Sequence, residues 1–149
     1  MSRDAIGRPM EILLIEDSLM SARLSMGALA KSGIEHRLSW MSDGREAQEF
    51  LKQEGKYARA PCPDLILLDL HLPEIDGQTL LEEIRQCPRL KDVPVLIMTG
   101  TAGDQDILDI EKLDVQGFLL KPIDLDKFLM LVEQLKGYWK KDMLVRKFS

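Results

Sequence analysis

The sequence predicts an α/β protein in which helices cover both faces of a parallel sheet. Two observations carry this prediction. Short apolar runs, typical of strands buried on both faces, recur along the chain, and segments with apolar residues at helical spacing separate them. Regular alternation of this kind predicts parallel βαβ units. Right-handed crossovers leave few topologies, and the flavodoxin-like, doubly wound order 2-1-3-4-5 is the commonest one for five strands.

Five short segments are predicted as strands because their apolar residues are continuous or alternate and turn residues bound them. They are residues 11–15, 36–41, 65–69, 93–98 and 117–120. The third, Leu65-Ile66-Leu67-Leu68-Asp69, is the most hydrophobic run of the chain. The second strand alternates only loosely.

Five helices are predicted between and after these strands. Ser18 and Asp124 are suitable caps for the first and last helices, and Asp43-Gly44 opens the second. Gly33 ends the first helix, and residues 54–63 form a Gly- and Pro-marked loop. The apolar faces of helices two to five are Ala47, Phe50 and Leu51; Leu80, Leu81 and Ile84; Ile107, Leu108, Ile110 and Leu113; and Phe128, Leu131, Val132 and Leu135.

Composition limits the function. The 149 residues predict a single domain over 1–149, with its core at about 10–136 and an apolar or helical tail at 137–149. A net charge of −5 with scattered basic residues argues against binding to nucleic acid or a membrane surface. No apolar run reaches the roughly 18 residues that cross a bilayer, and no signal peptide is recognisable. We therefore expect a cytoplasmic protein in which Cys62 and Cys87 are ordinary thiols.

The most informative residues stand where the predicted strands end. Glu16 and Asp17 follow the first strand, Asp69 ends the third, Thr99 follows the fourth and Lys121 follows the fifth. The ligand crevice of an open parallel sheet lies outside these carboxyl ends. Strands one, three, four and five are neighbours in the predicted order, so these side chains should converge on one crevice.

Three carboxylates at one place require a cation, since like charges 4 Å apart repel by roughly 1–4 kcal/mol. Lys121 supplies one positive charge, and Mg²⁺ would supply two while binding a few carboxylates and keeping several waters. Asp17 and Asp69 are the expected direct ligands, with Glu16 acting through water. A phosphoryl group arriving at Asp69 would meet the ion on one side and Lys121 and Thr99 on the other. The pattern therefore predicts a nucleophilic carboxylate that forms an aspartyl phosphate.

These motifs resemble the receiver domains of two-component response regulators. The matching segments are Glu16-Asp17-Ser18, Asp69-Leu70-His71-Leu72-Pro73 with Asp76-Gly77, Thr99-Gly100-Thr101 and Phe118-Leu119-Leu120-Lys121-Pro122, within about 10–136. The resemblance implies that a histidine kinase or phosphotransfer protein phosphorylates Asp69. It also implies that Mg²⁺, or Mn²⁺, is bound by Asp17, Asp69 and the backbone carbonyl of His71.

The same resemblance implies that Thr99 and Phe118 form a switch pair and that the Lys121-Pro122 bond is cis, which proline permits at little cost. His71 stands where smaller or amide side chains are common. With Thr101 it flanks the phosphoryl group, so we expect both residues to modulate its lifetime. Phe118 replaces a commoner tyrosine and lacks the hydroxyl.

Two further features narrow the resemblance to single-domain regulators paired with bacterial phytochrome-type kinases. They are the stretch Phe50–Tyr57 with the prolines after it, and the string Asp64–Pro73. The tail holds Tyr138, Trp139, Met143, Leu144, Val145 and Phe148. Such an apolar tail either folds back on its own domain or forms an interface; the resemblance favours a homodimer through the last helix and tail.

We therefore expect a stand-alone phosphoacceptor that switches conformation for a downstream protein, with output through the fourth helix, fifth strand and fifth helix. A phosphorelay intermediate or phosphate sink is the alternative. An aspartate-nucleophile phosphatase is disfavoured, because such enzymes use a second Asp where this chain has His71. A flavin or nucleotide carrier is disfavoured because no Gly-rich loop follows the first strand. The chain is therefore not expected to be an enzyme, since it would catalyse only its own phosphorylation and dephosphorylation.

Overall fold

The structure, a computed structural model, describes residues 8–100 and 113–135. Its centre is a five-stranded sheet in the order β2-β1-β3-β4-β5, as predicted, and all neighbouring strands are parallel. The strands are β1 (Met10–Ile15), β2 (His36–Met41), β3 (Leu65–Asp69), β4 (Val95–Thr99) and β5 (Gly117–Leu120). Three match the predicted bounds, β1 begins one residue earlier, and β4 is displaced from the predicted 93–98.

Four α-helices lie in the described ranges. They are α1 (Leu19–Ala30), α2 (Gly44–Lys52), α3 (Gly77–Gln86) and α4 (Leu125–Gln134), the last being the fifth predicted helix. The helix predicted around 107–113 falls outside the described residues, except for Leu113, and stays a prediction. The predicted loop at 54–63 contains a short 3-10 helix over Gly55–Tyr57. No helix in 8–100 or 113–135 is long and apolar enough to cross a membrane.

Side-chain caps fix where the helices begin. Ser18, Asp43, Asp76 and Asp124 each accept a hydrogen bond from a backbone N–H two or three residues further on. Such caps satisfy amide groups that have no partner within the helix. Gly33 is not the direct stop of α1, which ends at Ala30; its positive φ of 77° lies in the turn that leads to β2.

The core has two layers, one on each face of the sheet. Alternate residues of β3 point to opposite faces, with Ile66 and Leu68 packed toward α2 and α3 and Leu65 and Leu67 packed toward α1 and α4. Every residue of β3 and β4 is buried. Because each fully buried leucine contributes about 1.5–3 kcal/mol, β3 is held firmly, and so is the position of Asp69 at its end.

Gly77 marks a close approach between the start of α3 and the end of β3. A Cβ there would lie 2.9 Å from Leu70 Cα, 2.9 Å from Leu70 O and 3.0 Å from Asp69 O. The Gly77 N–H also donates to Leu70 O at 3.1 Å. Only glycine fits here, because backbone atoms cannot move aside as a flexible side chain would.

Gly77→Ala should therefore lower the free energy of unfolding by about 1–3 kcal/mol, the usual cost of overpacking. Gly27→Ala is the matched control, since nothing lies within 4 Å of the added Cβ in α1. That change should raise stability by roughly 0.5–1 kcal/mol through helix propensity. Urea unfolding of both variants measures the difference, and equal effects would contradict the assigned close approach.

Candidate functional site

The carboxyl edge of the sheet brings the predicted acids together. Oxygen atoms of Glu16, Asp17 and Asp69 all lie within 4.8 Å of one another. Glu16 is fully buried and Asp69 is 3% exposed, whereas Asp17 faces solvent. The cluster thus has two acids below the surface and one at its mouth, through which an ion or a phosphoryl group can enter.

Lys121 holds the two buried acids together. Its Nζ lies 2.6 Å from Glu16 Oε1 and 2.9 Å from Asp69 Oδ2, and its side chain is 17% exposed. The contact with Asp69 is an aligned hydrogen bond, whereas Glu16 Oε1 makes an ion pair without an aligned hydrogen bond. The Lys121-Pro122 bond that precedes α4 is cis, as predicted.

Asp69 is oriented through both of its oxygens. Its Oδ2 accepts from Lys121, and its Oδ1 accepts the backbone N–H of His71 at 3.0 Å. A carboxylate held by two charged or backbone donors has little rotational freedom, which is the preorganisation that a nucleophile needs. The His71 side chain itself is exposed.

Burial and charge act in opposite directions on the ionisable groups here. Burial raises the pKa of Glu16 to about 7, and the Lys121 ammonium only partly offsets this. Burial alone would lower the pKa of Lys121, but Glu16 and Asp69 outweigh it and raise that pKa. Lys121 is therefore a permanent cation at neutral pH, and Glu16 is an acid whose charge depends on a cation nearby.

Trp40 is a site residue that the sequence did not indicate. Its indole N–H donates to the backbone carbonyl of Glu16 at 2.7 Å. The Glu16 N–H donates to Met41 O at 3.0 Å, and its Oε2 accepts from Ser18 N at 3.2 Å. Strand β2, which contributes no acid, thus fixes the backbone from which Glu16 and Asp17 project. Neither spacing nor residue type gives a signal for a contact between an indole and a carbonyl.

The predicted switch residues occupy β4 and β5. Thr99 is fully buried at the end of β4, and its carbonyl accepts from Lys121 N at 2.8 Å. Phe118 is half-buried and pairs in register with Ile97. Lys127 Nζ lies 4.8 Å from the centre of the Phe118 ring, a cation–π contact. Their action as a switch stays a prediction, and Thr101 lies outside the described residues.

The acidic cluster fits a divalent cation by its donor set. All three residues offer hard carboxylate oxygens, the ligands that Mg²⁺ and Mn²⁺ prefer, and the exposed Asp17 leaves room for bound water. Lys121 already contacts the two buried acids, so a cation would reach the cluster from the side of the exposed Asp17.

The fold and site define a class of signalling protein. Residues 12–133 match the response regulator receiver domain. The chain therefore belongs to the receiver-domain family of two-component response regulators, which confirms the resemblance drawn from its motifs.

Among the members of this family, the chain is similar to two named response regulators. Response regulator Rcp1 of Synechocystis sp. is 39% identical over 136 residues, which cover 91% of this chain and 92% of that protein. The crystal structure of the phosphorylated cyanobacterial phytochrome response regulator RcpA is 38% identical, with a TM-score of 0.72, covering 89% of this chain and 94% of that one. The structure of Mn²⁺-bound Rcp1 is 37% identical, with a TM-score of 0.71, covering 94% and 100%. The chain is thus similar to regulators associated with phytochromes.

Asp17→Asn tests the cation site. Without Mg²⁺ the variant should be about 1 kcal/mol more stable than the wild type, because one of three repelling charges is gone. With Mg²⁺ at one hundred times its Kd, the wild type should gain about 2.7 kcal/mol and the variant far less. Thermal unfolding with and without Mg²⁺ measures both effects. The exposed Asp92→Asn is the control, and an equal gain for all three proteins would place the ion elsewhere.

Proposed function

We propose that this chain accepts a phosphoryl group from a sensor histidine kinase on Asp69 and passes the signal on through a change of shape. The observation that carries the proposal is the orientation of Asp69 by Lys121 and by the His71 N–H, beside two more acids. A nucleophilic carboxylate must be held in one orientation, and donors on both oxygens hold Asp69 in this way, whereas an ordinary surface acid rotates freely.

In the reaction, an Asp69 oxygen attacks the phosphorus of the phosphorylated donor. A new O–P bond forms, the bond from phosphorus to the donor nitrogen breaks, and its electron pair leaves with the imidazole, which then takes a proton. Lys121 moves its hydrogen bond from the carboxylate to a phosphoryl oxygen. Asp17, Asp69 and the His71 carbonyl would hold Mg²⁺, with Glu16 acting through water. The bound ion would neutralise charge on the phosphoryl oxygens.

The signal would leave through Thr99 and Phe118. A phosphoryl group at Asp69 offers new acceptor oxygens, and the Thr99 hydroxyl at the end of the neighbouring strand would turn toward one of them. Phe118 would follow into the vacated space and lose its contact with Lys127. Because that lysine belongs to α4, the change would reach the surface formed by β5 and α4, where a downstream protein would bind.

The proposed phosphoryl donor is a phytochrome-type sensor kinase, by likeness to Rcp1 and RcpA. Exposed apolar residues on α1, directly after the acidic pair, support a docking surface for this kinase. Leu19, Met20 and Leu24 are 50%, 75% and 53% exposed, and exposed apolar residues so close together mark interfaces. If the chain acts instead as a relay intermediate or phosphate sink, it needs the same docking surface and the same phosphorylation of Asp69.

Incubation with acetyl phosphate and Mg²⁺, followed by intact mass measurement, tests the proposal. The wild type should gain the mass of one phosphoryl group, and chelation of Mg²⁺ should abolish the gain. An unmodified mass under both conditions would sink the proposal. Sustained turnover of unrelated phosphoesters would instead indicate an aspartate-nucleophile phosphatase, since the proposed regulator acts only on its own phosphoryl group.

We also propose a homodimer formed through α4 and the start of the tail. Met130 on α4 is 51% exposed, and the tail that follows α4 in the sequence carries the further apolar residues Tyr138 and Trp139. A chain truncated after Lys136 should elute as a monomer in gel filtration, whereas the full chain elutes as a dimer. Its unfolding free energy serves as the control for folding. A truncated chain that keeps the dimer mass would contradict this interface.

A further inference from the structure

An apolar groove lies between α2 and α3, on the face of the sheet away from α1 and α4. It encloses about 170 Å³. Its floor is formed by Leu51, Leu80, Ile84 and Leu90. Cys87 lines it as well, and Gln48 donates across it to both oxygens of Glu83 at 2.7 and 2.8 Å. A dry cavity of roughly 150 Å³ holds one aromatic ring, so the groove has the size and polarity for a single aromatic side chain.

The chain carries a segment that can reach this groove. Helices in a parallel α/β fold run opposite to the strands, so α2, α3 and α4 all end near the amino edge of the sheet. Packed layers lie roughly 10 Å apart, so a path of roughly 20 Å joins the two faces. Trp139 comes four residues after Leu135, so an extended chain carries it only about 13 Å from the end of α4. Phe148 comes thirteen residues after Leu135, and an extended chain carries it about 40 Å.

Charge also favours the C-terminal segment that contains Phe148 as the occupant of the groove. Residues 136–149 hold five basic residues and one acidic residue, while the rest of the chain holds 15 basic and 24 acidic. Among the described residues Glu83 makes no ion pair within 4 Å; its carboxylate accepts from the neutral Gln48, and Lys52 is the one cation that lines the groove. Arg146 and Lys147 directly precede Phe148. An aromatic ring in the groove would thus bring two cations to the rim where the Glu83 carboxylate makes no ion pair with a described residue.

We propose that residues 143–148 dock into the α2–α3 groove of the same chain, with the Phe148 ring in the cavity and Arg146 or Lys147 beside Glu83. The proposal leaves Tyr138 and Trp139 available for the dimer surface. It is independent of the proposed phosphorylation of Asp69, which the docked segment does not touch.

A disulfide test uses the native thiol in the groove. In a Cys62→Ser background, Ser149→Cys oxidised with diamide should form a disulfide between Cys87 and the new thiol within one chain, because the Phe148 ring that anchors the segment is retained. The matched control retains Cys62 and carries Cys87→Ser with Ser149→Cys. It has the same tether but a thiol outside the groove lining, and should cross-link far more slowly. A mixture of ¹⁴N- and ¹⁵N-labelled chains separates links within a chain from links between chains.

Thiol reactivity in the otherwise native chain gives a second readout. Phe148→Ala should raise the reaction rate of Cys87 with a thiol reagent about tenfold, if the open groove is a minor state of roughly a tenth. Cys62 should react at an unchanged rate, which also shows that the fold is intact, and Phe148→Leu should restore most of the protection. Equal cross-linking to both cysteines, an unchanged Cys87 rate, or disulfides only between differently labelled chains would overturn the proposal.

Discussion

Lys121→Met should lower the rate of phosphorylation by acetyl phosphate by roughly 10²–10³-fold, the usual cost of removing one donor to a developing oxyanion. Methionine keeps the length and apolar stem of the side chain but removes the ammonium that lies 2.9 Å from Asp69 Oδ2. The phosphoryl oxygens then lose their nearest protein cation. Single-turnover kinetics followed by intact mass measure the rate.

The same variant should remain folded. Burial already raises the pKa of Glu16 to about 7, so a proton on Glu16 can replace the ammonium at small cost near neutral pH. We expect the free energy of unfolding to fall by only about 1–2 kcal/mol, which is the loss of one buried charge-assisted contact. Lys91→Met, at an exposed position, should change neither the phosphorylation rate nor the free energy of unfolding. A Lys121→Met protein that is phosphorylated at the wild-type rate would remove Lys121 from the mechanism.

Asp69→Asn should abolish phosphorylation altogether. The amide has the shape of the carboxylate and can still accept the His71 N–H, but its neutral oxygen is a poor nucleophile. The variant relieves the repulsion between three clustered charges but weakens the contact with Lys121, so its free energy of unfolding should change by no more than about 1 kcal/mol. Urea unfolding of the variant shows that the loss of labelling does not come from loss of the fold. Asp92→Asn should be labelled like the wild type, and equal labelling of Asp69→Asn would place the phosphoryl group on another residue.

The sequence predicted the sheet and the convergence of the strand-end residues because both depend on local signals and one topological rule. Runs such as 65–69 identify strands without reference to the rest of the chain, and caps such as Asp43 and Asp124 mark helix starts. Once the strands are ordered, the rule that ligands lie at strand ends brings Asp69 and Lys121 together. Their contact of 2.9 Å in the structure bears out that convergence.

What the sequence could not show are contacts made by long side chains across the fold. Arg85 reads as a solvated charge on α3, yet its side chain is only 12% exposed. It donates to the carbonyls of Asp114, Lys91 and Val93 and to Gln116 Oε1 at 2.7–3.0 Å. The indole of Trp40 is a similar case. Neither contact follows from spacing, because each joins residues that only the finished fold brings close.

The shift of β4 has a simpler physical cause. The strand was predicted from its apolar run, which starts at Val93, but Pro94 has no N–H to give to a neighbouring strand. Pairing with β3 begins at Val95, whose partner in register is Ile66, and Val95 also accepts from Gln116 N at 3.0 Å and donates to the Gln116 side chain at 2.7 Å. At the other end, Thr99 stays in the strand through its bond with Lys121 N.

The central claim is that Asp69 carries the phosphoryl bond, and chemical localisation of that bond tests it most directly. Borohydride reduces an acyl phosphate to the alcohol, so an aspartyl phosphate becomes homoserine while free aspartate is unchanged. After phosphorylation with acetyl phosphate and Mg²⁺, the peptide that contains residues 65–73 should carry homoserine at position 69 alone. Homoserine at position 17, or none anywhere in a protein that has gained phosphoryl mass, would contradict the account.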